Sequence, residues 1–296
     1  MKKLMECVPN VSEGRNPATI EELAAVLRES AGVSLLDSSS DSDHNRSVFT
    51  YVGEPDAVLA ATETFCHRAF DLIDMRMHTG CHPRLGAVDV VPFVPLRGME
   101  MEEAISYAHR LGHAVGEMGV PVYFYEEAAL NAERCNLADV RRGEYECLSD
   151  RLSEPSGRPD AGPASFNPRT GACIIGARRP LIAFNVNLGT TDLAVAQQIA
   201  RAVRHSSGGF RAVKAMGVEL KEMGVVQVSM NLVDYTQTPI HRVVEAIRSE
   251  AARYGVPVVG SELIGLAPLE ALEEVVRFYL QLHEFSSTKI IENHLL

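Results

Sequence analysis

Two features that mark common classes of protein are missing from this sequence. It contains no lysine- or arginine-rich run, and 28 basic against 39 acidic residues give a formal charge of −11. Because a phosphate backbone needs a basic face, this balance argues against a nucleic-acid partner. No apolar stretch approaches the roughly 20 residues that span a bilayer, so we expect no membrane association.

The cysteines and the N-terminus indicate a cytoplasmic location. The six cysteines include no C-x-x-C pair, and in a chain of this length they are typical of reduced thiols. The first residues are basic, but Pro9 and polar residues follow before a signal-peptide h-region could form. With 46% hydrophobic and 23% charged residues, the sequence predicts a soluble chain with a packed core.

What the sequence does contain is alternating helix and strand patterns in two halves. The first half begins a helix at Asn16 and Pro17 and follows the order β-α-β-β-α-β-α-β, with Pro92 indicating an edge strand or a bulge. The second half follows β-α-β-β-α-β, the ferredoxin-like arrangement. We predict an α/β fold of the α+β sandwich type. Its two ferredoxin-like α/β subdomains, 1–178 and 179–296, would enclose a ligand site between them.

A long segment between the halves breaks the periodicity. LSEPSGRPDAGPASFNPRTGACIIGARRP is dense in proline, glycine and serine, which predicts an extended loop or a domain junction. A connection of this length is uncommon in a compact domain unless it has a function. We therefore expect the segment to have one.

The stretch HTGCHPR offers a metal, a nucleophile or a proton-transfer site. His78 and His82 have the i, i+4 spacing of helical zinc ligands. Gly80 and Pro83 make a helix improbable there, and no glutamate follows His78. Zinc held on a loop with Cys81 stays an alternative, but we expect no metal, and Cys81 is more typical of a structural cysteine than of a nucleophile.

We predict that His82 is a general acid and base. Pro83 fixes the backbone after it, Arg84 supplies an anion anchor, and a positioned histidine titrates near neutral pH. The histidines on predicted helices, helix ends or tails are interpreted as surface or packing residues: His67, His109, His113, His205, His241, His283 and His294.

The acidic stretch DSSSDSDHNRS allows two interpretations. A calcium loop that begins at Asp37 would need glycine at its sixth position and glutamate at its twelfth, where Ser42 and Val48 stand. The stretch is then either a solvated turn between strands or a site for a small zwitterion. In the second case Arg46 would bind a carboxylate with two hydrogen bonds.

Several segments together resemble one family over nearly the whole chain. They are CVPNVSEGRN, NRSVFTYVG, HTGCHPRLGAVDVVPFVP, GVPVYFYEEA, RRGEYECL, GPASFNPRTGACIIGARRPLIAFNVNL, QVSMNLVDY and VVGSELIGLAP. In this order they resemble glutamate formimidoyltransferase, the formiminotransferase part of the formimidoyltransferase–cyclodeaminases of histidine breakdown. Since the sequence ends at Leu296, we expect no cyclodeaminase domain.

The resemblance implies a reaction and an assembly. It implies two α/β subdomains around a tunnel, a homodimer, and small-molecule substrates only. Tetrahydrofolate would be the co-substrate, accepting at N5 the formimidoyl group of N-formimidoyl-L-glutamate without a metal. Two alternatives stay open: formyl transfer between 5-formyltetrahydrofolate and glutamate, and a non-catalytic folate-binding module, against which the intact HPR motif argues.

The resemblance also assigns residues. The catalytic histidine of the family corresponds to His82. The folate-binding segment corresponds to Gly162, Pro163, Ala164, Ser165, Phe166, Asn167, Pro168, Arg169, Thr170 and Gly171. We expect the substrate to be bound by Asp37, Asp43, Asn45, Arg46 and Arg84. The bifunctional members carry an acidic residue at the position of Ser39, so Asp37, Asp41 and Asp43 are the candidates for its role.

Overall fold

The computed structural model describes residues 2–80 and 83–294. The chain forms two compact units, Met1–Arg178 and Arg179–Leu296. Among the described residues, none of the helices combines the length and the apolar character that crossing a bilayer requires.

The described residues of the first unit form a seven-stranded sheet and five α-helices. Its strands are β1 (Met5–Cys7), β2 (Asn10–Val11), β3 (Val33–Asp41), β4 (Arg46–Gly53), β5 (Val88–Pro95), β6 (Val122–Glu126) and β7 (Cys173–Ala177). Its helices are α1 (Pro17–Glu29), α2 (Pro55–Leu72), α3 (Met101–Glu117), α4 (Leu137–Val140) and α5 (Leu148–Ser153). The predicted order of elements up to β6 is confirmed, and the Asn16 side chain caps α1 by accepting from the Ala18 and Thr19 N–H groups.

The strand order explains how this unit departs from a plain ferredoxin-like domain. Strand β3 pairs with β4, β4 with β1 and β2, and these with β5, all antiparallel, which is the ferredoxin-like order. Beyond β5 the sheet continues with β7 and then β6, both in parallel pairing. The first residues of β5 and β7 therefore lie at the same end of the sheet.

Both faces of the sheet are covered in its β5–β7–β6 part. Helices α1, α2 and α3 pack on one face around a core that includes Phe49, Phe65 and Phe93. On the opposite face Tyr123 and Tyr125 pack with residues of α4 and α5. Because successive residues of a strand face opposite sides, Phe124 between the two tyrosines belongs to the first core.

The prediction that Pro92 lies on an edge strand is wrong. Strand β5 is central, with β1 and β2 on one side and β7 on the other. Proline has no N–H to donate, and β1 and β2 are interrupted beside it at Val8 and Pro9, where the Val8 N–H donates to the Pro92 carbonyl at 3.3 Å. The irregularity expected of the proline is present, but in the neighbouring strand.

Two predicted loops contain more strand than expected. Strand β3 continues through Asp41, so the turn between β3 and β4 is reduced to residues 42–45. The long segment between the halves ends in β7, which is wholly buried between β5 and β6. The last residues of β3 and the whole of β7 were missed because serine-, glycine- and proline-rich sequence predicts loops there. Pairing with neighbouring strands overrides such local preferences.

The second unit is a four-stranded ferredoxin-like domain, as predicted. Its strands are β8 (Ile182–Leu188), β9 (Val213–Leu220), β10 (Val225–Leu232) and β11 (Val258–Ile264), in the antiparallel order β11-β8-β10-β9. Its helices are α6 (Leu193–Val203), α7 (Ile240–Arg253) and α8 (Leu269–Tyr279). Helices α6 and α7 bury one sheet face, and β9 pairs with β10 in antiparallel fashion.

Candidate active site

Three loops meet at one end of the first sheet, and Asn45 joins them. They are residues 12–15 after β2, residues 42–45 between β3 and β4, and the described residues 78–80 and 83–87 before β5. The Asn45 Oδ1 accepts from the Gly14 N–H at 2.9 Å, and its Nδ2 donates to the Thr79 carbonyl at 3.0 Å. Asn45 is buried and has φ of +50°, a conformation that asparagine tolerates better than most residues. Its amide therefore binds backbone and holds the loops together.

Two glycines allow these loops to approach closely. A Cβ on Gly80 would lie 2.5 Å from the His44 carbonyl oxygen, and one on Gly14 would lie 2.3 Å from that of Asp41. No side chain fits at either position without moving the backbone. The glycine in HTGCHPR is thus required by packing against the β3–β4 turn.

His78 is held as a neutral imidazole of defined tautomer. The Arg84 Nε lies 3.2 Å from the His78 Nδ1, and since a guanidinium only donates, Nδ1 must accept. The proton then lies on Nε2, which donates to the Asn45 carbonyl at 2.9 Å. Burial, and to a smaller extent the charge of Arg84, lower the pKa of His78. His78 consequently connects the Asn45 turn to Arg84.

Arg84 is buried and already paired with carboxylates. Its Nη2 donates to the Glu146 Oε1 at 2.6 Å, and its Nη1 donates to the Glu146 Oε2 and the Glu144 Oε2, both at 3.1 Å. The Arg84 carbonyl also accepts from the Tyr145 N–H at 2.8 Å. A substrate carboxylate would have to compete with two glutamates, so the structure favours a positioning role for Arg84 over that of an anion anchor.

The two glutamates were missed by sequence reasoning, although RRGEYECL was among the segments that carried the resemblance. Their side chains meet Arg84 across about sixty residues of chain, and such a pairing leaves no periodic pattern. The sequence offers one signal for these glutamates: they stand on either side of a tyrosine, directly after a glycine.

An open pocket of about 530 Å³ lies at this junction. It is lined by His78, Thr79, Gly80, Arg84, Gly143, Glu144 and Glu146. In the sequence, His82 lies between the lining residues 80 and 84. The predicted catalytic residue His82 and its neighbour Cys81 lie outside the described residues.

The acidic residues of the β3–β4 region have different surroundings. The Asp41 Oδ1 accepts from the N–H groups of Asp43 and His44 at 2.9 and 2.8 Å, and its Oδ2 lies 2.7 Å from the His44 Nδ1. These contacts, first the backbone hydrogen bond from His44, lower the pKa of Asp41. Asp37 lies four residues earlier on β3, about 13 Å along the strand. The structure thus places Asp43 in the turn and Asp37 away from it.

Arg46 begins β4 directly opposite Asp41. It is half-buried, and burial, followed by the nearby charge of Arg141, lowers its pKa. Because paired residues of antiparallel strands face the same side, Arg46 shares a sheet face with Asp41, Ser39 and Asp37. The four side chains form one polar strip on that face.

A buried ion pair anchors the chain just after the HPR motif. Asp89 on β5 is 1% exposed; its Oδ1 accepts from the Leu85 N–H at 2.7 Å, and its Oδ2 pairs with Arg141. Burial raises the pKa of Asp89, and the charge of Arg141 opposes this. Sequence reasoning missed this pair, although a lone acid within the apolar run VDVVPFVP was a usable signal.

The predicted folate-binding segment adjoins this region. The Thr170 carbonyl accepts from the Ala87 N–H at 2.8 Å, and the Ala172 N–H donates to the Leu85 carbonyl at 3.1 Å. The cause is topological: residues 84–87 lead into β5 and residues 162–171 lead into β7, and these parallel strands are neighbours. The structure therefore brings together two segments that the sequence separates by about eighty residues.

The segment is anchored at both ends and partly exposed between them. Gly162 has φ of +78°, and a Cβ there would lie 2.3 Å from the Val120 carbonyl oxygen. Near the other end the Tyr145 hydroxyl donates to the Pro168 carbonyl at 2.6 Å, and the Tyr145 and Phe166 ring centroids are 5.5 Å apart. Between these anchors the exposed residues 164 and 165 offer backbone groups to a ligand.

A metal site requires several ligating side chains that lie close together. Among residues 2–80 and 83–294, the structure brings together no group of three or more histidine, cysteine, aspartate or glutamate side chains that could hold a metal ion. The chemistry of the described site is that of carboxylates, guanidinium groups, imidazoles and amides.

Known proteins resemble the chain over its whole length. Residues 4–178 match the family described as the formiminotransferase domain, N-terminal subdomain, and residues 183–295 match the formiminotransferase domain. Glutamate formimidoyltransferase from Streptococcus pyogenes serotype M1 is 45% identical over 298 residues, which is 100% of both chains. The protein of the same name from Thermoplasma acidophilum is 44% identical and covers 98% of this chain and 96% of its own.

A longer relative matches over part of its length. Formimidoyltransferase-cyclodeaminase from Gallus gallus is 43% identical over 288 residues, covering 95% of this chain but 53% of its own. The chain thus spans about half the length of this relative. The predicted resemblance is confirmed, and the chain belongs to the formiminotransferase family of enzymes.

Proposed function

We propose that the chain transfers the formimidoyl group of N-formimidoyl-L-glutamate to N5 of tetrahydrofolate, giving 5-formimidoyltetrahydrofolate and L-glutamate. Two relatives similar over nearly their whole length are named glutamate formimidoyltransferase. The observation that carries the proposal is the junction of three segments: the flanks of His82, the glutamates of RRGEYECL, and the backbone of residues 162–171. A donor and an acceptor bound at one junction can react with each other.

In this mechanism His82 carries the proton. N5 of tetrahydrofolate attacks the formimidoyl carbon and forms the new C–N bond of a tetrahedral intermediate, while His82 takes the N5 proton. His82 then returns that proton to the glutamate nitrogen as the old C–N bond breaks. General acid–base catalysis of this kind contributes about 10²–10⁴-fold in rate.

The other residues of the site hold the backbone beside His82 in place and orient the donor. Asn45, His78 and Arg84 fix the backbone on both sides of His82 through the contacts described above. Arg46, with Asp37 or Asp43 on the polar strip and turn beside it, is proposed to contact the glutamate part of the donor. Holding donor and acceptor together converts a bimolecular step into an intramolecular one.

Tetrahydrofolate is proposed to bind along Gly162–Gly171. The half-buried Phe166 ring, packed on Tyr145, offers an apolar surface to a flat heterocycle, and exposed backbone groups beside it can hydrogen-bond to the ring edges. No metal is needed in this scheme. A cytoplasmic location, expected from the cysteines, and a homodimer, implied by the resemblance, belong to the same proposal.

His82→Ala tests the proposal. A spectrophotometric assay with N-formimidoyl-L-glutamate and tetrahydrofolate should show transfer by the wild type and a fall in kcat of at least about 100-fold in the variant. Calorimetry should show tetrahydrofolate binding to both within threefold. A fall of less than tenfold in a folded variant would remove His82 as the proton carrier, and absence of wild-type transfer would refute the proposed reaction.

A further inference from the structure

The pocket beside Arg84 is lined by one more negatively charged than positively charged side chain. His78 is neutral in the tautomer that its two hydrogen bonds require, so among the described lining residues the charged groups are Arg84, Glu144 and Glu146. One guanidinium against two carboxylates leaves a formal charge of −1. An open pocket with this balance favours a cationic group.

The two carboxylates are not equivalent. Both oxygens of Glu146 accept from Arg84, in the two-bond arrangement that satisfies a carboxylate and a guanidinium together. This contact with Arg84 lowers the pKa of Glu146. Glu144 accepts from Arg84 through Oε2 only, and in the part of the chain that the structure describes its Oε1 accepts no hydrogen bond. The unmatched negative charge therefore belongs to Glu144.

The backbone holds Glu144 in place at this wall of the pocket. Its N–H donates to the Arg141 carbonyl at 2.8 Å, and the next residue, Tyr145, donates to the Arg84 carbonyl at 2.8 Å. The Arg141 side chain is in turn paired with the buried Asp89. The Glu144 side chain is 41% exposed, although its backbone is fixed on both sides, and it lines the pocket. A fixed carboxylate with a free oxygen costs little reorganisation when a ligand binds.

The donor of the proposed reaction carries a group that matches this carboxylate. An amidine is a strong base, so the formimidoyl group of N-formimidoyl-L-glutamate is protonated at neutral pH and presents two N–H donors in a plane, as a guanidinium does. The corresponding formyl group is neutral. A carboxylate at the wall of the pocket therefore distinguishes the two by charge as well as by hydrogen bonding.

We infer that Glu144 binds the cationic formimidoyl group of the donor and selects it over a formyl group. This inference rests on the proposed function and adds to it a specificity-determining residue and the physical basis of donor choice. The position agrees with the chemistry, because the pocket is lined by the residues that bracket His82, the proposed base.

Glu144→Gln tests the inference, since it removes the charge and keeps the shape. In the full chain, the KM for N-formimidoyl-L-glutamate should rise at least tenfold. The inhibition constant of N-formyl-L-glutamate, used as a neutral competitor, should stay within twofold. The matched control is Glu133→Gln, which removes an exposed charge from the segment between β6 and β7 and should change neither constant.

The outcomes separate the two proposals. The wild type must first transfer formimidoyl groups. If Glu144→Gln then leaves the ratio of the KM for N-formimidoyl-L-glutamate to the inhibition constant of N-formyl-L-glutamate unchanged, Glu144 does not select the donor. If both constants rise together in a folded Glu144→Gln, the residue is structural and the inference is wrong. If the wild type itself does not transfer, the proposed function fails first. Should Glu144→Gln not fold, Glu144→Asp keeps the charge and should retain the preference for the cationic ligand, and its loss would overturn the inference.

Discussion

The two units of the chain are built on the same ferredoxin-like strand order, yet the polar groups buried on the strands differ between the two sheets. In the first unit Asp89 of β5 is buried in an ion pair with Arg141, and the buried Arg84 just before β5 pairs with the exposed Glu146. In the second unit they include neutral amides on the sheet face opposite α6 and α7, where the Gln227 Nε2 donates to the Asn187 Oδ1 at 2.8 Å.

This difference indicates which parts of the first unit go beyond the strand order that the two units share. Burying a charge costs several kcal/mol in desolvation, so an ion pair is retained where it does more than fill space. The Arg84 pair connects a residue close to His82 to the segment between β6 and β7, and the Asp89 pair connects β5 to the same segment. Among its described elements the second unit has no counterpart of this segment. The common fold supplies a platform, and the candidate site is carried by what is attached to it.

The largest expected effect tests the buried charges of the first unit. Asp89→Asn keeps the shape of the side chain but leaves the Arg141 guanidinium buried without its counter-charge, so we expect the free energy of unfolding to fall by about 3–5 kcal/mol. Urea unfolding followed by circular dichroism measures it. Glu21→Gln, which breaks an exposed pair with Arg28, is the control and should leave stability unchanged. Equal effects of the two variants would show that burial of the Asp89 pair is unimportant.

The fold was predictable from sequence where local patterns set it. The Asn16–Pro17 helix start and the individual elements of the β-α-β-β-α-β order of the second half are each encoded within about fifteen residues and were found in place. Strand β7 was not predicted, because a run of five apolar and small residues after a proline- and glycine-rich stretch is stabilised by its two neighbouring strands rather than by its own pattern.

The candidate site was predictable only in part, for a related reason. HTGCHPR stood out because its glycine and proline specify a backbone, and the structure explains Gly80 by the close approach of His44. The partners of Arg84 were not predictable, because they lie 60 and 62 residues away and reach it only after the segment between β6 and β7 has folded back. Arg84 was accordingly expected to bind a substrate anion rather than two glutamates.

A smaller effect is expected from the neutral amides of the second unit. Gln227→Leu removes a donor from the Asn187 Oδ1 and from the Glu262 Oε2, which lies 3.0 Å from the Gln227 Nε2. Leaving acceptors unpaired costs about 1–3 kcal/mol, less than an unpaired buried charge. Urea unfolding again measures it, with the exposed Gln198→Leu as control. A loss as large as that of Asp89→Asn would contradict the distinction between the two units.

The smallest effect concerns a histidine in each unit. His241 is 7% exposed, stacks on Phe278 with ring centroids 4.4 Å apart, and has a buried Nδ1 without a hydrogen-bond partner in the described structure. Burial lowers its pKa, as it does that of His78. A histidine with a lowered folded pKa binds fewer protons than in the unfolded chain, so stability falls as the pH drops below the ordinary histidine value of about 6.5.

His241→Phe separates the share of the second unit from that of the first. Phenylalanine keeps the stacking on Phe278 and removes the titrating ring, so the loss of stability between pH 7 and pH 5.5 should be smaller than in the wild type by up to about 1 kcal/mol. Urea unfolding at the two pH values measures this difference, and the exposed His113→Phe should leave it unchanged. The part of the pH dependence that persists in His241→Phe includes the contribution of His78, whose neutral form is required by its contacts with Arg84 and Asn45. If His241→Phe lost as much stability on acidification as the wild type, the buried ring of the second unit would not be a source of the pH dependence.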